Sequence, residues 1–369
     1  MTETAPSQAP RWVNLALVPA VNLLIAFLIS GLIIALIGED PFKALKFLLI
    51  GAFGYPEATG FTLYYTTNFI FTGLAVAVAF HCGLFNIGGE GQAYLGGLGV
   101  GLICLNLGGW PFLLVLPVSI AAAMAFGAGW ALIPAYLQAK RGSHIVITTI
   151  MFNFIASALM TYLMVEVLIK PGQQSPESRE FEANTWLPFM HEMLQWIGIE
   201  VSCSPLNFSF FLALICSLCV WVFIWQTRWG YEIRTVGQNP TAAVYAGISP
   251  ARTIMLTMCV SGALAGFVGV NEIMGVQHRL MLDFTGGYGF VGIAVALMGR
   301  NHPIGVFLAA LLFGALYQGG TELSFEMPNI TRHMVVVIQG LVILFSGALE
   351  HMLRPRIESF FVRRTVAVE

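Results

Sequence analysis

Ten long apolar stretches take up most of this 369-residue chain. They lie near residues 12–37, 61–80, 84–107, 111–137, 145–168, 207–227, 253–275, 287–299, 303–320 and 334–351. A helix needs roughly 17–25 such residues to cross a bilayer. In hydrocarbon every backbone polar group must be satisfied inside the protein. The expectation is an all-α, polytopic membrane protein with about ten transmembrane helices. Only 10% of residues are charged, against about 25% in soluble domains, so a water-facing surface is excluded. The stretch 287–299 is too short for a full crossing and reads as a partial helix. The first stretch is too long for a signal-peptide core and lacks a small-residue cleavage site, so it reads as a retained span.

Charge gives an orientation. Eleven of the seventeen Lys and Arg fall on one set of connecting segments and six on the other. The positive-inside rule then puts both termini in the cytoplasm. The chain reads as a single transmembrane permease domain, 1–369. It has a cytoplasmic N-terminal segment (1–11), an extracytoplasmic loop (169–206), a cytoplasmic loop (228–252) and a cytoplasmic tail (352–369). Nineteen acidic residues balance the seventeen basic ones, which gives no sign of a nucleic-acid surface. The six cysteines imply neither a disulfide framework nor a metal site. Cys216 and Cys219 form a CxxC inside an apolar run, without a second pair, and read as small apolar residues one turn apart.

The segment "FNIGGEGQ", Phe85 to Gln92, breaks the third stretch. Asn86, Glu90 and Gln92 are polar, and Gly88, Gly89 and Gly91 loosen any helix. Close helix packing with cross-helix hydrogen bonds is one reading. A loosened helix lining a translocation path is the other. The path reading is preferred because a glutamate inside a membrane is costly. Asn68 and Asn153, also polar within apolar stretches, are further path candidates. A similarity between "FTGLAVAVAFHCGLFNIG" (71–88) and "FVGIAVALMGRNHPIG" (290–305) reads either as an internal repeat or as chance likeness of apolar sequence.

The loop "TRWGYEIRTVGQNPTAAVYAGISPART" (227–253) carries a capped helix. Asn239 suits the N-cap, Pro240 the first helical position and Gly247 the terminator. Pro240 to Ala246 make about two turns, too few to be stable alone. Ala242, Ala243 and Ala246 would allow close approach, with Tyr245 as an anchor. Such a helix docks either on the protein's own inner face or in a cytoplasmic partner.

"GLFNIGGEGQ", "GQNPTAAVYAGIS" and "GYGFVGIAVALMGRNHPIGVFLAALLFGAL" together resemble the permease subunits of bacterial ABC importers of the sugar, nucleoside and branched-chain amino acid group. The resemblance covers about residues 12–351 and is nearest to the nucleoside (basic membrane protein-associated) branch. It implies a type II ABC importer-like permease in the bacterial cytoplasmic membrane. It implies that Gly237, Gln238, Asn239, Pro240, Ala242, Ala243, Tyr245, Ala246 and Gly247 couple the permease to a cytoplasmic ATPase. A second permease, most often a different chain, and an extracytoplasmic binding protein complete the implied assembly. The segment "SHIVITTIMFN" departs from the family, which often has Glu where Ile145 stands, so no role passes to Ile145.

None of the four lysines follows a glycine, which excludes a P-loop. The implied cofactor, ATP-Mg, therefore belongs to the partner, with none bound by this chain. Nucleosides are the expected substrate, with simple sugars such as ribose or galactose as the alternative. An ion-coupled carrier is the rival class. It would need ionisable groups deep in the membrane, where Glu90 alone is expected, Glu166, Glu272 and Glu350 lying near span ends. No enzyme signature (H-E-x-x-H, G-x-S-x-G) is present.

Overall fold

The computed structural model describes Val13, residues 17–331, 334–341 and Leu344. The N-terminal segment 1–11, the tail 352–369 and much of the last expected span lie outside the described residues. Those described are mostly helical, with two isolated β-bridges and no named strand among them. Among the described residues six helices are long and apolar enough to cross a membrane, or seven if one bent pair is counted as a span, so the expected ten are found only in part.

Contacts divide the chain into two compact units. The first joins the residues up to Gly51 with those from Gln318 onward. Here α1 (Val18–Leu36) and α2 (Pro41–Phe53) form the bent pair, at 119°. The bend has a local cause. Gly38 takes a left-handed φ of 92°, and the Asp40 carboxylate accepts from the Phe42 amide at 2.9 Å to start α2 at Pro41. The loop expected after the first span is thus largely helix. Ile34, Ala44, Leu323, Ile330 and Ile338 form this unit's core.

The second unit, Ala52–Tyr317, holds the chain's central packing. Its helices are α3 (Pro56–His81), α4 (Gly89–Asn106), α5 (Phe112–Arg141), α6 (Ile145–Tyr162), α7 (Met190–Gln195), α8 (Ser209–Gln226), α9 (Arg228–Gln238), α10 (Pro240–Tyr245), α11 (Pro250–Gly269) and α12 (Tyr288–Met298). Helix α13 (Pro303–Glu326) begins in this unit, and residues 334–341 of the first unit are helical as well. α6 ends in a π-helical turn, Leu163–Val167, and α11 runs on as a π-helix, Val270–Gln277.

α3 and α11 are mostly buried, whereas α5, α6 and α8 are mostly exposed in the single chain. Burial follows the glycines. A Cβ on Gly97 would strike Phe284, one on Gly266 would strike the Ala123 carbonyl, and one on Gly262 the Gly127 carbonyl. Such small-residue faces let α4, α5 and α11 approach closely, the usual packing device where lipid removes the hydrophobic drive.

The resemblance between 71–88 and 290–305 is matched by a physical contact. Gly73 and Gly292 hold the same place in the two segments and mark the crossing of α3 and α12. A Cβ on Gly73 would lie 2.8 Å from Val295, and one on Gly292 would lie 2.5 Å from Thr72. Both helices then end in left-handed residues, Gly83 (φ 72°) and Arg300 (φ 52°).

Overpacking of this kind costs about 1–3 kcal/mol per site. Gly73→Leu and Gly292→Leu are therefore expected to lower the melting temperature and folded yield. Gly129→Ala, where nothing lies within 4 Å of the added carbon, should leave both unchanged or slightly raised. Thermal unfolding in detergent compares the three.

Candidate functional site

Helix α4 begins at Gly89, later than expected, because Gly83 to Gly88 form an irregular connection after α3. Glu90 is therefore in the first turn of α4, not some turns into a helix. Its carboxylate reaches the start of α12. Oε1 accepts from Thr285 Oγ1 at 2.5 Å and from the Gly287 amide at 2.9 Å, and Oε2 accepts from the Gly289 amide at 2.7 Å. A helix N-terminus has free amides and a positive dipole end, both suited to a carboxylate. Gly289 permits the approach, since a Cβ there would collide with the Glu90 amide.

Ring contacts give the depth of this junction. The Tyr288 ring lies 5.7 Å from that of Phe69, and the Asn301 carbonyl lies 3.0 Å from His81 Nε2 at the end of α3. Twelve residues of α3 separate Phe69 from His81, or about 18 Å at 1.5 Å per residue. The N-terminal ends of α4 and α12 thus meet well inside the helix bundle, with Glu90 joining them.

The other polar residues of the segment turn inward. Asn86 and Gln92, both buried, exchange amide hydrogen bonds at 2.9 and 3.1 Å. Asn86 also donates to Ser261 at 2.9 Å and accepts from the Gly88 amide at 2.9 Å. Half-buried Asn153, on α6, accepts from the Gly91 amide and donates to the Ile87 carbonyl, both at 2.9 Å. A buried donor left unpaired would cost about 1–3 kcal/mol, and here each irregular turn has a partner. Gly88 is closely enclosed by Gln92, Asn86 and Thr149.

Asn68 belongs to a second cluster that the sequence reading missed. Its amide donates to Glu272 at 2.6 Å, and Asn271 donates to its carbonyl oxygen at 2.8 Å. Tyr64 also donates to Glu272, while Asn207 and Ser209 donate to Asn271 at 3.0 and 2.5 Å. Glu272 is 1% exposed and sits in the π-helical continuation of α11. π-Helical turns often mark functional positions. The sequence signal was present: Asn271 and Glu272 adjoin inside the apolar run "GFVGVNEIMG", which was assumed to end there. Thr285 and Gly287 were missed too, though "TGGYG" announces a turn before a short helix.

The capped helix expected in the 228–252 loop forms. Asn239 caps α10, its side chain accepting from the Ala242 amide at 3.0 Å, with Pro240 in the first helical position and Gly247 at φ 76°. Tyr245 is 90% exposed, and Val244, Ala242 and Ala246 are exposed beside it. Ala243 is the exception: it is fully buried, so it holds α10 to the protein instead of presenting a docking face. Gly237 packs against His81 at the end of α3, and Gln238 is exposed.

The extracytoplasmic loop candidate 169–206 is pinned down. The Ser178 amide donates to the Leu280 carbonyl at 3.0 Å, that of Phe181 to His278 at 2.8 Å, and that of Leu187 to Met274 at 3.1 Å. Arg279 pairs with Glu177 at 3.0 Å. The loop thus lies over the end of the π-helix that bears Glu272.

Two helix N-termini thus meet inside a bundle of apolar helices that also carries an exposed, capped short helix. The chain belongs to the branched-chain amino acid transport system / permease component family, which matches residues 58–347. It is 35% identical over 333 residues to the nucleoside ABC transporter permease protein NupB of Lactococcus lactis, covering 89% of this chain and 90% of that protein. It is 34% identical over 333 residues to the guanosine ABC transporter permease protein NupP of Bacillus subtilis, covering 90% and 93%. It is 32% identical over 361 residues to the glucose ABC transporter permease protein TsgB13 of Haloferax volcanii, covering 96% and 93%.

Glu90→Gln removes the charge and sets a side-chain amide against a donor. Hydrogen bonds to charged groups are worth about 1.5–3 kcal/mol, so a comparable loss of stability is expected. If Glu90 only glues helices, yield and uptake fall together at unchanged activity per folded complex. A role of the junction in transport predicts lower activity per folded complex, read on the same purified sample.

Proposed function

We propose that this chain is the transmembrane permease subunit of an ATP-driven importer that moves nucleosides across the cytoplasmic membrane. The observation that carries this reading is α10, an exposed, doubly capped helix too short to stand alone, with Tyr245 offered to solvent. A cytoplasmic ATPase groove is the partner it suits. ATP-Mg is bound by that ATPase, two copies serving a pair of permeases. The likeness to permeases named for nucleosides and guanosine supports the substrate. The likeness to one named for glucose supports simple sugars as the second reading. An extracytoplasmic binding protein delivers the substrate, and a second, different permease completes the path.

In this reading the chain works as one permease domain with ten crossings, both termini in the cytoplasm, 169–206 outside and 228–252 inside. Asn86, Gly88, Gly89, Glu90, Gly91, Gln92, Asn68 and Asn153 contribute to the path chiefly by shaping it. The four amide side chains are engaged with the protein, and Glu90 controls how closely α4 and α12 meet. Buried Glu272 gives the ion-coupled alternative more substance than the sequence did. Uptake of labelled guanosine into vesicles holding the full transporter decides: ATP dependence that survives a protonophore supports the importer, and uptake without ATP overturns it.

Truncating an exposed aromatic anchor at an interface costs about 2 kcal/mol or more. Tyr245→Ala should therefore weaken ATPase assembly roughly 30-fold while the permease stays folded. Normal assembly and uptake would mean that α10 lies only on its own protein.

Orientation has a native reporter. Cys203 is exposed in the 169–206 loop, so an impermeant maleimide should label it from outside intact cells and lose the signal in Cys203→Ser. A cysteine placed at Thr241 should react only after the membrane is opened. The reverse pattern would invert the topology.

A further inference from the structure

The coupling loop has a second feature at its roots. α9 and α11 begin beside one another, and their first turns border a groove of about 250 Å³ lined by Arg228, Trp229, Glu232, Arg252, Thr253 and Leu256. Arg228 is spent on Glu232, the pair lying 3.0 Å apart on a well-exposed stretch of α9. Arg252 is exposed and has no ion pair or hydrogen bond among the described residues. One positive charge is thus left over, at a place where two helix N-termini add their free amides and positive dipole ends.

The groove is also part apolar. Trp229 is 55% exposed, its ring centroid 6.3 Å from that of Phe223 on α8. Above it α8 exposes Phe211, Ile215, Leu218 and Val222, spaced as one helix face. Tyr231, two residues further along α9, is exposed as well, and exposed Trp and Tyr at the end of an apolar helix are the mark of a headgroup level. A ligand that suits this place is anionic at one end and apolar at the other.

We propose that the groove binds the phosphodiester headgroup of an anionic phospholipid of the inner leaflet, with Arg252 as counter-ion and Trp229 against its glycerol and upper acyl carbons. The proposal rests on the cytoplasmic placement of 228–252. Basic pockets between helices on that side of a membrane suit anionic headgroups. An ATPase subunit is the competing neighbour for this loop. Trp229 and Leu256 in the wall, and the exposed apolar surface of α8, which leads directly into α9, favour lipid, while Tyr245 on α10 is the feature shaped for protein. A lipid here would tie α9 to α11 and so brace both roots of α10.

The test uses the purified full transporter, stripped of lipid in detergent and offered phosphatidylglycerol or phosphatidylcholine, with retained lipid counted by native mass spectrometry. The wild type should retain phosphatidylglycerol in preference. Arg252→Gln should lower that retention about fivefold, roughly the worth of one basic side chain at an anionic surface. Arg252→Lys should keep most of it, and Trp229→Ala should weaken retention of both lipids. Equal phosphatidylglycerol retention in wild type and Arg252→Gln overturns the proposal. Displacement by millimolar inorganic phosphate makes this a free-anion site and overturns it too. Loss of the ATPase from Arg252→Gln with lipid retention unchanged assigns the groove to protein. If Arg252→Gln fails to assemble, the comparison of wild type, Arg252→Lys and Trp229→Ala carries the test. Labelling at Thr241 reports separately on the orientation, so a misplaced loop is told apart from an empty groove.

Discussion

A carboxylate on the end of a buried half-helix is the contact on which the central unit depends. α12 begins inside the protein, where its first amides would otherwise lack acceptors, and in hydrocarbon each such group costs several kcal/mol. Glu90 accepts from two of those amides and from Thr285. Its own charge is stabilised by the same amides, so neither group is tolerable there without the other. The close approach depends on Gly289, and the rest of the segment Phe85–Gln92 is held by Asn86, Gln92 and Asn153. What looks in sequence like a polar flaw in a membrane helix is a joint between two helix ends.

The second buried acid obeys the same physics with different donors. Glu272 interrupts α11 where the helix widens into π geometry, and it accepts from the side chains of Tyr64 and Asn68. Glu90 is met chiefly by backbone and Glu272 by side chains. Backbone donors are fixed by the helix they start, whereas side-chain donors can change rotamer with little else moving. Glu90 is therefore the more rigid of the two centres. Glu272 is the more adaptable, beneath the 169–206 loop anchored by Ser178, Phe181 and Leu187.

Much of this was legible in the sequence, for physical reasons that also mark the limits. α10 was readable to its cap because Asn239, Pro240 and Gly247 act locally, each through its own backbone or side chain. The helices were readable because membrane crossing needs long apolar runs. Ala243 was misjudged, since which side of a two-turn helix faces inward depends on tertiary packing that spacing does not encode. The partner of Glu90 was unreadable because Gly287 and Gly289 lie some two hundred residues away, and a backbone amide leaves no side-chain signature. Glu272 was discounted because apolar run length was taken to set the span end, whereas α11 continues as π-helix to Gln277.

The distance between α10 and Glu90 is bridged by contacts with little slack. α10 follows α9 directly, and Gly237 at the end of α9 sits so close to His81 that a side chain there would strike its carbonyl. Gly83, two residues on, faces the Gly237 carbonyl in return. From Gly83 the chain runs through five residues to Gly88, whose turn Asn86 holds, and then into Glu90 and the start of α12. Continuity in space does not by itself establish coupling. What distinguishes this route is that its first link is backbone against backbone and its last is a carboxylate fixed by three donors. Such links resist small displacements more than long side chains do. The end of α3 and the α4–α12 junction are thus joined to α10 by a shorter and stiffer chain of contacts than long side chains would provide.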